Sequence, residues 1–407
     1  MYPKRFHVFM LFTLISMSLL GSCVSYASPA NATQYTVNSI NIGLGAYWLA
    51  FSPSGTLAYV TNQGSSSVSI IDVVNGTLIH SVKVGLSPYG VAFSPSGSVA
   101  YVTNGGGTAV SVINTTTSNV VNTITVGSNP SGIAFSPSGK FAYVTNFDSQ
   151  SVSVINVTSS KVVGTIGVGL SPFWIAINPS GTLAYVVNSN SNNVSVISLA
   201  ANKVVGSINV GSYPNSVAFS PSGAIAYVTN SRDNDVSVIN VSEGKVTATI
   251  QVGGAPDAAA FAPSGDLAYV TNWDDNDVSV INVSEGKVVS TIGVGTSPSW
   301  IAINPSGTLA YTSNYGDGTV SSIVLAQPSV NVSSTSTVTT APTTTVAQAP
   351  AANTTTSIAP QNSNSSTQPM HQAAQQGGSP SSYLLILGAV VVVIIVAAGY
   401  LIVSKKK

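Results

Sequence analysis

The chain has 407 residues, of which 44% are apolar and only 6% are charged, and its formal net charge is zero. This composition supports a large core and excludes the charged, apolar-poor class of disordered proteins. It also excludes a nucleic-acid-binding surface, which needs clustered Lys and Arg. The single cysteine and the three histidines leave no Cys or His cluster, so we expect neither a metal site nor a cofactor.

The N-terminus has the pattern of a secretory signal. Lys4 and Arg5 precede an apolar run, and small residues follow up to Ala27. We therefore predict a signal peptide over residues 1–27. A lipoprotein processing site with an acylated Cys23 is the alternative.

A hexapeptide, Leu57 to Asn62, opens a series of repeats. Its tyrosine recurs at intervals of 42 residues, at Tyr101, Tyr143, Tyr185, Tyr227, Tyr269 and Tyr311. Each repeat has four short β-rich runs separated by turn residues, which is typical of one propeller blade. An open solenoid would need polar end caps, and none is visible. The sequence predicts an all-β, seven-bladed β-propeller over residues 34–325.

The repeats also predict how the ring closes. The seventh copy lacks its fourth strand, whereas Tyr35 to Gly43 forms an extra fourth-strand pattern before the first copy. We expect this N-terminal strand to complete the seventh blade and leave no unfinished sheet edge.

Three segments follow the repeats. Residues 326–382 are rich in Ser, Thr and Pro and predict an extended stalk, and residues 383–403 form an apolar run that predicts a transmembrane helix. Residues 404–407 end in three lysines, which indicate a cytoplasmic tail. The predicted location is the cell surface, as a single-pass membrane protein with its N-terminal ectodomain outside and its C-terminus in the cytoplasm.

The repeat resembles a known family. Phe135 to Gly139, Ala142 to Asn146 and Val152 to Asn156 are similar to the YVTN-type β-propeller repeat of archaeal surface-layer-type proteins and secreted bacterial relatives. Val187 departs from this pattern in the fourth copy, and Thr312 and Ser313 depart from it in the seventh. The resemblance implies a cell-surface, recognition or scaffolding role, and it implies no catalytic residue.

One face of the predicted propeller collects aromatic and polar residues. The loops entering the first strands and those following the second strands share this face, and aromatic rings beside hydrogen-bonding groups suit glycans or polypeptide loops. Alternatively, several rings pack against one another at the channel mouth. This interpretation is favoured for Trp48, Trp174 and Trp300, because the three share one repeat position. The candidate ligand-binding residues are Tyr47, Tyr89, Phe147, Phe173, Tyr213, Asn215, Arg232, Asp257, Trp273 and Tyr315.

Two further groups of residues recur in the repeats. The loops after two second strands repeat a pair of acids: Asp233 and Asp235, then Asp275 and Asp277. These acids could bind calcium or could simply form turns. Turn formation is favoured, because no D-x-D-x-D-G loop is present. Asn-x-Ser/Thr sequences within the repeats are possible N-glycosylation sites, although such sequences are about as frequent as chance predicts: Asn75, Asn114, Asn156, Asn193, Asn240 and Asn282.

These observations led to a non-enzymatic hypothesis. A membrane-anchored extracellular propeller would act as a recognition, adhesion or envelope-scaffold module, with a cell-surface glycan or an envelope protein as its partner. No catalysis is expected, because no His, Glu or Cys cluster converges on the channel. The alternatives are a propeller enzyme, of lactonase-like or cofactor-dependent dehydrogenase-like type, and a purely structural surface-layer subunit.

Overall fold

The computed structural model describes residues 35–325, which form a seven-bladed β-propeller of seven four-stranded antiparallel sheets. The fold class is therefore as predicted. Within this range no helix has the length and apolar character needed to cross a bilayer. The predicted signal peptide, stalk, transmembrane helix and lysine tail lie outside the described residues.

The strands follow one another with the 42-residue period of the sequence. The first strand is β1 (Thr36–Asn41), and blade 1 follows with β2 (Ala46–Phe51), β3 (Leu57–Asn62), β4 (Ser67–Asp72) and β5 (Thr77–Lys83). Blade 2 contains β6 (Pro88–Phe93), β7 (Val99–Asn104), β8 (Ala109–Asn114) and β9 (Asn119–Thr125). Blade 3 contains β10 (Pro130–Phe135), β11 (Phe141–Asn146), β12 (Ser151–Asn156) and β13 (Lys161–Gly167).

The remaining blades repeat this order. Blade 4 contains β14 (Pro172–Ile177), β15 (Leu183–Asn188), β16 (Asn193–Ser198) and β17 (Lys203–Asn209). Blade 5 contains β18 (Pro214–Phe219), β19 (Ile225–Asn230), β20 (Asp235–Asn240) and β21 (Lys245–Gln251). Blade 6 contains β22 (Pro256–Phe261), β23 (Leu267–Asn272), β24 (Asp277–Asn282) and β25 (Lys287–Gly293), and blade 7 contains β26 (Pro298–Ile303), β27 (Leu309–Asn314) and β28 (Thr319–Val324).

The N-terminal strand closes the ring, as predicted. β1 pairs antiparallel with β28, from Thr36 opposite Val324 to Asn41 opposite Thr319, so blade 7 has the strand order β1-β28-β27-β26. The first and last blades also join near the axis, where Ser299 Oγ donates to the Tyr47 carbonyl at 2.6 Å.

The repeated tyrosine fixes the stacking of neighbouring blades. Tyr59 is fully buried, and its ring packs on Phe93 of the next blade with centroids 4.6 Å apart. The same contact joins Tyr311 of blade 7 to Phe51 of blade 1, at 4.9 Å. Because each sheet is covered on both faces by its neighbours, the second and third strands are buried on both sides, whereas the fourth strands are largely exposed.

The repeated threonine ties one blade to the next by hydrogen bonds. Thr103 Oγ1 accepts the Gly90 amide of its own blade at 2.8 Å and donates to the Ser131 carbonyl of the next blade at 2.6 Å. Val187 cannot do this in blade 4, where Ser189 Oγ instead donates to the Pro214 carbonyl at 2.8 Å. The departure from the repeat pattern is thus compensated two residues later.

Candidate functional site

Three repeat positions build one end of the central channel, here called the upper mouth. The first position is the residue immediately before the first strand of each blade, the strand nearest the axis. Its backbone is left-handed in every blade, as at Tyr213, where φ is 54°. The second follows the first residue of that strand, and the third follows the asparagine that ends each second strand. All three lie where the loops converge on the axis, so side chains from different blades meet there.

The upper mouth holds a cavity of about 380 Å³. Eight of the ten candidate ligand-binding residues line it: Tyr47, Tyr89, Phe147, Phe173, Tyr213, Asn215, Asp257 and Trp273. The other two lie beside the lining. The Tyr315 ring centroid is 5.9 Å from that of Tyr47, and the Arg232 guanidinium lies 4.6 Å from the centroid of Tyr213.

The aromatic side chains form a continuous wall from blade 6 through blade 1 to blade 4. Tyr47 and Tyr89 meet edge to face with centroids 5.2 Å apart, and Trp273 lies 5.4 Å from Tyr315. Phe173 continues the wall toward Phe147, at 6.3 Å. Such edge-to-face contacts stabilise the rings against each other and fix the shape of the cavity.

Three tryptophans close the channel below this cavity. Trp48 stacks on Trp300 with centroids 3.5 Å apart and lies 4.2 Å from Trp174. These residues belong to the floor rather than to the lining of the upper cavity, in agreement with the packing interpretation. A second cavity of about 460 Å³ opens on their other side, at the end here called the lower mouth.

The most unusual polar group of the upper mouth is Asp257. It is only 7% exposed, and burial raises its pKa from 3.8 to about 7 although a hydrogen bond from Asn215 favours the ionised form. Asn215 Nδ2 donates to Asp257 Oδ1 at 3.0 Å, and the main-chain carbonyl of Asp257 accepts the Thr229 hydroxyl at 2.8 Å. The carboxyl is therefore held rigidly and exchanges its proton near neutral pH.

Tyrosine hydroxyl groups accompany this carboxyl. Burial raises the pKa of Tyr47 well above its usual value, and the Asp257 charge raises it further. Burial likewise raises the pKa of Tyr89. Both phenols remain protonated at neutral pH, so each can donate a hydrogen bond to an oxygen atom inside the cavity.

The acidic loops brace the fold around the mouth. Asp233 Oδ2 accepts the Ser212 amide at 2.6 Å, and Asp275 Oδ2 accepts the Gly254 amide at 2.7 Å. Asp235 and Asp277 accept the side-chain amides of Asn230 and Asn272. These hydrogen bonds are those of turn formers. Across residues 35–325 no group of three His, Cys, Asp or Glu side chains is arranged to hold a metal ion.

Sequence reasoning missed five residues that also line the cavity. They occupy the same three repeat positions as the predicted ones, but their small side chains carried no chemical signal: Asn129, Ser131, Ser189, Ser231 and Ala255. Aligning all seven copies at those positions would have found them.

Most of the predicted glycosylation sites lie far from this cavity. Asn114, Asn156, Asn240 and Asn282 end third strands and Asn75 lies in the following turn, all near the lower mouth. Asn193 differs, because it begins β16 and lies at the end of the strand nearer the upper mouth. Whether any of them carries a glycan stays a prediction.

Comparison with known proteins adds an enzymatic context. The model of the family described as "Lactonase, 7-bladed beta-propeller" matches residues 25–209, somewhat less than half of the chain. No curated protein matches the sequence. Among solved structures, a chain of hydrazine synthase from Kuenenia stuttgartiensis is similar, with a TM-score of 0.66 and 25% identity, over 69% of this chain and 96% of that one.

These similarities correct the functional prediction. One match is to a lactonase family and the other is to a hydrazine synthase, so both point to an enzyme-type propeller. They contradict the hypothesis of a recognition, adhesion or scaffold module and the prediction that the protein is not an enzyme. An enzyme site need not contain a cluster of His, Glu or Cys, because burial alone raises the pKa of the single Asp257 carboxyl to about 7. The chain is thus similar to enzyme-type seven-bladed propellers, which was the alternative interpretation.

Proposed function

We propose that the protein is a hydrolase of cyclic esters whose active site is the upper mouth. The observation that carries the proposal is the buried Asp257 carboxyl, with its pKa of about 7, inside an aromatic cavity. A general base works best when its pKa lies near the working pH. The match of residues 25–209 to the lactonase propeller family supports a lactone as the substrate.

Each residue has a role in this mechanism. The Asp257 carboxylate accepts a proton from water, and the resulting hydroxide adds to the lactone carbonyl carbon. Asn215 holds one carboxylate oxygen at 3.0 Å, which orients the other toward the cavity. The Tyr47 hydroxyl donates to the carbonyl oxygen as negative charge develops there. The ring C–O bond then breaks, Asp257 returns the proton to the leaving oxygen, and the product is a hydroxy acid.

A metal-dependent reaction, as a second candidate, lacks residues to support it. Among the described residues the single histidine is His80, which is exposed on β5 at the outer edge of blade 1. Hydrolysis that uses the Asp257 carboxyl as base and acid needs no set of metal ligands. The similarity to a hydrazine synthase chain therefore supports the enzyme-type scaffold, while the chemistry of the cavity favours hydrolysis.

The cellular setting is part of the proposal. The repeats suggest a YVTN-type propeller, and the sequence at both ends suggests export, a stalk over residues 326–382 and a membrane anchor over residues 383–403. In this arrangement the enzyme acts outside the cell, tethered to the membrane by its C-terminal helix. Protease protection of the C-terminal lysines in intact cells would test the topology.

Release of acid from a panel of lactones tests the activity. We expect kcat/KM to rise with pH to a plateau above about 7, because only the ionised carboxyl of Asp257 acts as base. Asp257→Asn should lower kcat/KM by about a hundredfold or more. Asp266→Asn is the matched control, since Asp266 is exposed in the same blade at the lower mouth. No lactone hydrolysis by the full-length chain, or full activity of Asp257→Asn, would exclude the proposal.

A further inference from the structure

We infer that the substrate of the upper mouth carries a positive charge, as a quaternary ammonium or a protonated amine next to the ester. The inference deepens the proposed function and rests on it for the reaction, whereas the binding of the charge can be measured separately. It follows from three features of the mouth: its aromatic lining, the placement of its charges, and the free oxygen of Asp257.

The aromatic lining suits a cation. The rings of Tyr47, Tyr89, Phe173, Phe147 and Trp273 all border the cavity. The faces of aromatic rings carry negative charge density, so they attract a desolvated cation. Because these residues come from blades 1, 2, 3, 4 and 6, rings surround the cavity on most of its circumference.

Positive side chains are almost absent from this end of the propeller. Lys161, Lys203, Lys245 and Lys287 begin fourth strands and Lys140 precedes β11, so all five lie on the face of the propeller that contains the lower mouth. Lys83 donates to the Ser65 carbonyl at 2.9 Å, outside the lining of the cavity. The one described cation at the rim is Arg232, and it lies over the Tyr213 ring. An anionic substrate would therefore find no free partner here.

Negative side chains, by contrast, gather around the upper mouth. Asp148 and Asp274 are exposed at the rim, each directly after the lining residue Phe147 or Trp273, and Asp148 lies near enough to Tyr89 to raise its pKa. Asp233, Asp275 and Asp317 lie in the same set of loops. Clefts lined by one sign of charge attract ligands of the opposite sign and speed their association.

Asp257 supplies the buried counter-charge. Asn215 occupies Oδ1, and Oδ2 has no hydrogen-bond partner among the described residues although the side chain is 93% buried. A cation in the cavity would stabilise the ionised carboxyl. Substrate binding should therefore lower the pKa of Asp257, which predicts that the acidic limb of kcat lies at lower pH than that of kcat/KM.

Calorimetry with three molecules of similar shape tests the inference on the full-length chain. The probes are choline, its neutral isostere 3,3-dimethylbutan-1-ol and the anion 3,3-dimethylbutanoate. We expect choline to bind roughly ten times more tightly than the neutral probe, within the cation–π range, and the anion to bind least. Equal or tighter binding of the neutral or anionic probe would overturn the inference.

Variants separate a built site from general charge attraction. Trp273→Leu should weaken choline binding about fivefold or more and leave the neutral probe nearly unchanged. Asp274→Asn should weaken choline two- to threefold at low salt, roughly the effect of one exposed charge, whereas Asp266→Asn should not. Choline affinity that survives Trp273→Leu unchanged would contradict the inference.

The two proposals can fail separately. If choline binds but no lactone is hydrolysed, the proposed function fails and the cation site stands. If neutral lactones are hydrolysed and choline does not bind, the cation site fails and the proposed function stands.

Discussion

The two mouths of the channel differ in how strictly the repeats are kept. At the lower mouth every blade has a Pro-Ser-Gly turn, and each glycine packs against the proline of the preceding blade, as Gly97 does on Pro53 and Gly55 on Pro305. At the upper mouth one repeat position holds Tyr47, Tyr89, Ser131, Phe173, Asn215, Asp257 and Ser299 in turn. The turn that packs blades together at the lower mouth is therefore repeated, whereas this position at the upper mouth differs from blade to blade. The proposed active site therefore lies where the repeats differ.

Closure of the ring is the condition for having two mouths at all. Deleting residues 34–42 removes β1, its antiparallel pairing with β28 and the buried Ile40. We expect a fall of many degrees in the melting temperature and loss of the upper cavity, because blade 7 loses its outer strand and the ring loses the pairing that joins its two ends. Circular dichroism during heating measures this, and Asn38→Ala, at an exposed site on β1, is the mild control. An unchanged melting temperature would show that the strand does not close the ring.

Removing part of the tryptophan floor should join the two cavities. Trp300 is 8% exposed and stacks on Trp48, so Trp300→Ala should lower the free energy of unfolding by about 3–5 kcal/mol. Denaturant titration measures the loss. Tyr315→Ala, at a ring that is 38% exposed on the rim, should cost clearly less. Equal losses would contradict a packed floor between the mouths.

The pH dependence of stability tests the environment of Asp257. Its folded pKa of about 7 lies above the value of 3.8 for an exposed carboxyl, so the folded state holds its proton longer. Stability from this group is complete below about pH 4 and falls as the pH rises to about 7, by on the order of 4 kcal/mol in all. Asp257→Asn should remove this decline. Parallel pH–stability curves for the parent protein and the variant would contradict a buried, strained carboxyl.

A smaller effect should come from the threonine that links blades. Thr103→Val removes one accepted and one donated hydrogen bond at a buried site and should cost about 1–3 kcal/mol. Thr312 is the matched control, since its buried hydroxyl has no partner among the described residues. Thr312→Val should be neutral or stabilising. A loss at Thr312 equal to that at Thr103 would show that the hydrogen bonds are not the cause.

Much of the architecture could be predicted because it follows from the spacing of the repeats. The 42-residue period gave the blade, the missing fourth strand gave the closure, and the loop positions brought eight candidate residues to one cavity. The boundaries also agree closely, as for β11 at Phe141–Asn146. These features depend on pattern and chain connectivity, which are visible in one dimension.

The reactivity of the site could not be read in the same way. Asp257 follows the proline that begins most first strands, so its position alone does not distinguish it. Only the packed blades show that its carboxyl is buried beside Tyr47 and held by Asn215, 42 residues earlier in the chain. A pKa depends on desolvation and on neighbouring charges, which are properties of the assembled ring. The same holds for the stacked floor of Trp48, Trp174 and Trp300, since three blades must meet at the axis to form it.

The amino-acid sequence by itself thus determined seven alike blades, their closure and which loops share an end of the channel, because these follow from periodicity and strand pairing. The tertiary structure alone decided which carboxyl is desolvated, which rings border the cavity and where the tryptophan floor closes the channel. Burial and distance arise only when all seven blades enclose a common axis.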